Sequence, residues 1–158
     1  MTVHNAPQTL LDQLEQAGIA YDLIPHRRTD TAVAEAEALG VEPSQVAKTI
    51  VLTTPTGFVL AVLPAAERLD LRKVRDLLDT KEVELATEQV LAGAYPGFEL
   101  GAVPPLARPR GDRVLVDRRV SENEFVLVEA GTHEQSLRLK TTDLIALNDA
   151  QLADLCRD

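Results

Sequence analysis

The sequence predicts an α+β fold: a mixed, largely antiparallel, barrel-like sheet flanked by helices, within one domain over residues 1–158. Two observations carry this prediction. Apolar runs of strand length are joined by hairpin-length turns, without the regular strand–helix alternation of a parallel sheet. Between them lie segments of helical periodicity with capping residues at their ends. Together these give about seven strands and five or six helices. A length of 158 residues suits one domain, and a hydrophobic content of 45% suffices for a core. That core must be aliphatic, because aromatics make up 3% and tryptophan is absent.

The elements follow in order. "PQTLLDQLEQA" puts Leu10, Leu11 and Leu14 at helical spacing, and Gly18 is a natural stop. "IAYDLIPH" alternates loosely and reads as a short strand. "TDTAVAEAEALG" reads as a helix that Asp30 or Thr31 can cap and Gly40 ends. Pro43 opens a further helical turn in "VEPSQVAK". Two apolar runs, Thr49 to Thr53 and Phe58 to Leu63, then flank the turn Thr54-Pro55-Thr56-Gly57. The second run is apolar on both faces, as a central strand requires. "LDLRKVRDLLDT" is amphipathic, with Leu71, Val74, Leu77 and Leu78 on one side. "VELAT" reads as a strand and "EQVLAGA" as a short helix.

Residues 93–111 hold four of the eight glycines and four of the nine prolines, too many for a long regular element. Strand-like "RVLVDRRV", "FVLVEA" and "QSLRLK" follow, the last two joined by the loop "GTHE". "TTDLIALND" and "AQLADLC" are expected as closing helices.

Composition narrows the function. The net charge of −9 argues against binding long nucleic acid or DNA, though not against gripping one or two phosphates. No apolar run approaches the ~18 residues of a membrane span. The single cysteine and the absence of a signal pattern in "MTVHNAPQTLLDQLEQ" lead to the expectation of a cytoplasmic protein. P-loop, GxGxxG, GxSxG, HExxH and CxxC patterns are all missing, and His4, His26 and His133 lie far apart. No metal and no cofactor are therefore expected. Cys156, without a histidine neighbour, reads as packing or surface.

Three features could carry chemistry. Lys48 stands at the mouth of the first hairpin arm, on the face of Ile50 and Leu52. It is either an edge lysine that snorkels or a fixed cation at the floor of a pocket. In "FELGAVPPLARP", Pro104 and Pro105 stiffen a loop in which Gly101 permits close approach to backbone amides. Such a loop is a surface crossover or an oxyanion-stabilising wall. His133, in "EAGTHEQ", is a solvated loop histidine or a site residue.

"VAKTIVL", "FELGAVPPL" and "FVLVEAGTHEQSLRLKTTDLIAL", in this order and spacing, resemble the YbaK/prolyl-tRNA editing family. That family includes free-standing ProX- and EbsC-like proteins and the insertion domain of bacterial prolyl-tRNA synthetases. "PHRRTDTAVAEAEALG" looks like its His-then-Thr opening, so the likeness runs from about residue 20 to 150.

The resemblance implies hydrolysis of the ester that joins a wrong amino acid to the 3′ end of tRNA. Lys48 would match the lysine that holds a phosphate of the terminal adenosine. Gly101, Ala102, Val103 and Pro105 would belong to the GxxxP loop that shapes the amino-acid pocket. Gly131 and His133 would match a late Gly and His, the histidine orienting the aminoacyl group or a water. Thr49, beside the lysine, stands where alanine-specific relatives often carry Asn, and "PPLARPRG" replaces a common Phe-Gly.

Alanine, cysteine and serine mischarged on tRNA, tRNA-Pro among the carriers, are the implied substrates, and a synthetase is a candidate partner. The alternative is a non-catalytic relative that binds a nucleotide, an adenylate-like ligand or a protein.

Overall fold

The apolar hairpin becomes the spine of the larger of two sheets. In the computed structural model, which describes residues 6–106 and 112–158, the turn after Thr54 joins β2 (Ala47–Thr54) to β3 (Gly57–Pro64) in full antiparallel register. β3 is buried from Val59 onward. This fits its central place, with β2 on one side and β5 (Arg113–Asp117) on the other. β4 (Glu84–Leu85) extends the sheet beyond β2, and β8 (Gln151–Ala153) extends it beyond β5. The smaller sheet has the order β1 (Tyr21–Pro25), β7 (Gln135–Lys140), β6 (Phe125–Glu129), and all its pairings are antiparallel.

The period-two alternation of these strands sorts the side chains into three clusters. Val51, Leu60, Val62, Val116, Val126, Val128 and Leu137 meet between the sheets. α1 (Gln8–Gln16) and α5 (Thr141–Asn148) contribute Leu10, Leu14 and Leu144 to the same cluster. On the outer face of the larger sheet, Leu52, Ala61, Leu63 and Leu115 pack against Val74 of α3 (Leu71–Leu78). On the outer face of the smaller sheet, Leu127 packs with Ala36 of α2 (Ala32–Leu39). The Thr31 side chain caps α2 by accepting the Ala34 N–H at 3.1 Å, and Gly40 ends it at φ 70°. α4 (Glu88–Ala94) begins at the Thr87 cap.

Two expectations need correction. The described strands do not close into a barrel: among the described residues the backbone bridge between the two sheets is the isolated parallel one from Val46 to Leu127. The mixed, largely antiparallel pairing holds, with β3–β5 and β5–β8 parallel and the other four strand pairings antiparallel. Finally, the segment read as a closing helix, "AQLADLC", runs as β8 and an extended tail. Ala153 and Leu155 are buried there while Leu152 and Asp154 are exposed, a strand alternation that the unfilled edge of β5 selects. Asp117 fixes the tail by accepting the Leu155 N–H at 2.8 Å. His4 and the 107–111 end of the proline-rich loop lie outside the described residues.

Candidate functional site

A cleft of about 490 Å³ lies at the start of β2. Its walls are the N-terminal end of α2, the start of β2, the Gly101 loop and the end of β6. A second concavity of about 630 Å³ beside the Thr54–Gly57 turn contains none of the candidate site residues read from the sequence.

Lys48 lines the cleft, half-buried, and carries no ion pair among the described residues. Burial lowers its pKa, with Arg68 acting in the same direction and Cys156 and Glu67 opposing. An ammonium without a carboxylate partner is available to an anion entering the cleft.

The Gly101 loop is a built turn. The Ala102 N–H donates to the Glu99 carbonyl at 3.0 Å, and Gly101 occupies the third position at φ 81°. That is the position at which a type II turn needs a glycine. The amides of Gly101 and Val103, both on the cleft wall, take no hydrogen bond within the described residues. Behind them the loop is tied at both ends. Asn148 of α5 donates to the Pro105 carbonyl at 2.7 Å, and His133 Nε2–H donates to the Leu100 carbonyl at 2.7 Å. A carbonyl only accepts, so the second bond places a ring proton on Nε2.

Lys48, Thr49, Gly101 and Val103 therefore meet at the cleft, whereas Ala102, Pro105, Gly131 and His133 do not line it. His133 is 5% exposed and stands behind the loop that it anchors, so its contact with the site runs through Leu100 and Gly101. A Cβ on Gly101 would stand 3.5 Å from its Cε1.

Gly131 supports the loop from the β6–β7 hairpin, where its carbonyl accepts the Glu99 N–H at 2.9 Å. It sits at φ 83°, and a Cβ there would come 2.5 Å from Phe98 Cδ1 and 3.0 Å from Pro7 Cδ. Gly131→Ala is expected to cost about 2 kcal/mol or more from strain and overlap together. Thermal unfolding should show a drop of roughly 4–8 °C for a chain of this size. An unchanged midpoint would mean that Phe98 moves aside freely.

Sequence reasoning missed the acids. Glu35 of α2 and Glu129 at the end of β6 both line the cleft, as does Asp30. Glu35 is fully buried, and burial pushes its carboxyl up to about 7 although the Ser136 hydroxyl donates to it. Burial pushes Glu129 up to about 9, helped by the like charges of Glu35, Glu99 and Asp30 and opposed by Arg28. Its Oε2 stands 3.3 Å from His133 Nδ1. Glu99 behaves in the opposite way: against its burial, Thr132 and Arg28 hold it below the usual carboxylate range. A sequence signal for Glu35 did exist, since it shares the inward stripe of α2 with Ala32, Ala36 and Leu39.

A family model for the aminoacyl-tRNA editing domain matches residues 26–147, which take in the cleft, its lysine and the Gly101 loop. The chain belongs to the aminoacyl-tRNA editing domain family. It is 27% identical over 126 residues to the protein of Enterococcus faecalis (strain ATCC 700802 / V583) named "Putative Cys-tRNA(Pro)/Cys-tRNA(Cys) deacylase EbsC", covering 79% of this chain and 76% of that one. Among solved structures it is similar to "a putative trans-editing enzyme for prolyl tRNA synthetase". That match has a TM-score of 0.86 at 27% identity and covers 99% and 100% of the two chains. Cys156, the free thiol of this editing domain, is buried and pushed up to about 12 by burial and by the Asp117 carboxylate. It is a packing residue of the second core cluster.

Proposed function

We propose that this editing domain, over the whole chain, is a trans-acting aminoacyl-tRNA deacylase. It hydrolyses the ester between a wrong amino acid and the 3′ end of tRNA. The observation that carries the reading is the convergence of Lys48 with the free amides of Gly101 and Val103 on one cleft. Lys48 holds a phosphate of the terminal nucleotide by charge and sets the position of the ester. The loop amides donate to the ester carbonyl oxygen as it gains negative charge. A water oxygen bonds to the carbonyl carbon, the bond to the ribose oxygen breaks, and the proton of the water passes to that oxygen. Aminoacyl esters are activated, so this route needs no protein nucleophile, metal or cofactor.

His133 acts by holding the loop that carries the amides. The substrates in view are Ala-, Cys- and Ser-tRNA, with tRNA-Pro as a carrier. On cysteinyl esters the substrate's own thiol could attack the carbonyl in place of water. A synthetase in the cytoplasm would supply the charged tRNA.

The test is deacylation of Ala-, Cys- and Ser-tRNA-Pro by the purified protein. At least one ester should be cleaved well above its spontaneous rate; if none is, the deacylase reading fails. The rate should fall only mildly with salt, because holding one 3′ end with a surface of net charge −9 neutralises one or two phosphates. A slope corresponding to many phosphate contacts would place the tRNA body on the protein instead.

A further inference from the structure

The cleft carries both signs of charge. Lys48 lines it, and so do Glu35, Glu129 and Asp30, none of which is among the charges that act on Lys48. Among the described residues neither Glu35 nor Glu129 pairs with a lysine or arginine. Arg28, which acts on Glu129 from a distance, is bound to Glu99 at 2.9 Å and stands 3.6 Å from Asp30.

The same wall also contains buried polar atoms with nothing to bond. Glu35 Oε1 and Glu129 Oε2 make no hydrogen bond, and neither do Thr29 Oγ1 and His133 Nδ1, the last standing 3.3 Å from Glu129 Oε2. Glu35 is 0% exposed, Thr29 4% and His133 5%. Buried acceptors left unsatisfied in this way are costly, and a donor that fits between them is bound in proportion. They do not form a metal cage: no group of three or more His, Cys, Asp or Glu among the described residues is placed to hold an ion. A primary ammonium brings three N–H donors and one positive charge to these oxygens, and on binding it releases to solvent the proton that burial keeps on Glu129.

We propose that Glu35 and Glu129 form the seat for the α-ammonium group of the aminoacyl ester, opposite the phosphate held by Lys48. This rests on the deacylase reading of the cleft. One end of the substrate is then read as an anion and the other as a cation, with the ester carbonyl between them at the Gly101 and Val103 amides. The site thereby selects for esters with a free amine. It spares tRNAs whose amine is blocked, as in a peptidyl ester, because an amide in that place brings no charge and only one donor.

The test compares alanyl-, seryl- and cysteinyl-tRNA with their 2-hydroxyacyl and N-acetyl counterparts, each rate divided by the ester's own uncatalysed rate. The hydroxyacyl esters keep the size of the substrate and lose only the charge. The wild type should favour the free amine over the hydroxyacyl ester by about 10- to 100-fold. Glu129→Gln and Glu35→Gln should shrink that ratio by slowing the amine substrate alone. A wild type that cleaves amine and hydroxyacyl esters equally overturns the seat and leaves the deacylase intact. Variants that keep the wild-type ratio while cleaving more slowly overturn it as well. If the wild type cleaves no ester, the deacylase reading falls and takes the seat with it. The wild-type ratio needs no variant, so a misfolded substitution does not mask the answer.

Discussion

Lys48→Ala is expected to lower kcat/KM for deacylation by about 10- to 100-fold, the loss of one charge-assisted contact to phosphate. The protein should remain folded, because Lys48 is half-buried, has no ion pair among the described residues, and already sits below its usual pKa through burial. Its removal takes a desolvated charge out of the fold without leaving another one unpaired. The loss should appear mainly in KM if the lysine binds substrate and transition state alike. Lys48→Arg keeps the charge but changes its reach and shape, so it should recover part of the binding. Single-turnover deacylation alongside a thermal melt separates the two effects. Full activity in Lys48→Ala would remove the lysine from the site.

The second large effect is on stability. Glu129 and Glu35 are pushed up to about 9 and about 7 from an ordinary value of 4.5, in both cases chiefly by burial. A raised carboxyl pKa means that the folded state binds the proton more tightly than the unfolded chain does. The stabilisation is therefore fully present below about pH 4.5 and is lost as pH rises through the folded values. For Glu129 the loss between about pH 5 and pH 9 is on the order of several kcal/mol. Glu129→Gln removes that titration. Its urea-unfolding free energy should vary less over this range, and it should exceed that of the wild type at pH 9. Parallel pH profiles for variant and wild type would show that Glu129 is not buried as a neutral acid. The two carboxyls act on each other, so the combined Gln variant should give less than the sum of the single effects.

These two predictions draw on different kinds of information. Lys48 and the glycine of its facing loop stood out in the sequence because each is a local exception, a cation at a strand mouth and a glycine before two prolines. The turn at Gly101 and the cap at Thr31 obey rules that span four residues, and the structure shows both. Glu129 looked ordinary, and the one signal for Glu35 was its place on the apolar stripe of α2. A glutamate in an alanine-rich helix is normally solvated, and only the packing of α2 over the smaller sheet turns this one inward. For His133 the loop position was legible, while its burial and its bond to Leu100 depend on a segment about thirty residues away.

The same division holds for the fold. By itself the sequence determined the central hairpin, the capped helices and the aliphatic core, because propensity, period and capping act within one or two turns of chain. It also brought out the lysine and the loop that mark the editing family. Tertiary structure alone decided the parallel pairing of β3 with β5, the capture of the C-terminal segment as β8, and the division into two sheets. Those choices depend on which strand edges are left open once the hairpin has formed, and on how apolar faces from distant segments share one interior. The acidic wall of the cleft belongs with them: burial gives Glu35 and Glu129 their chemistry, and burial is a property of the packed chain.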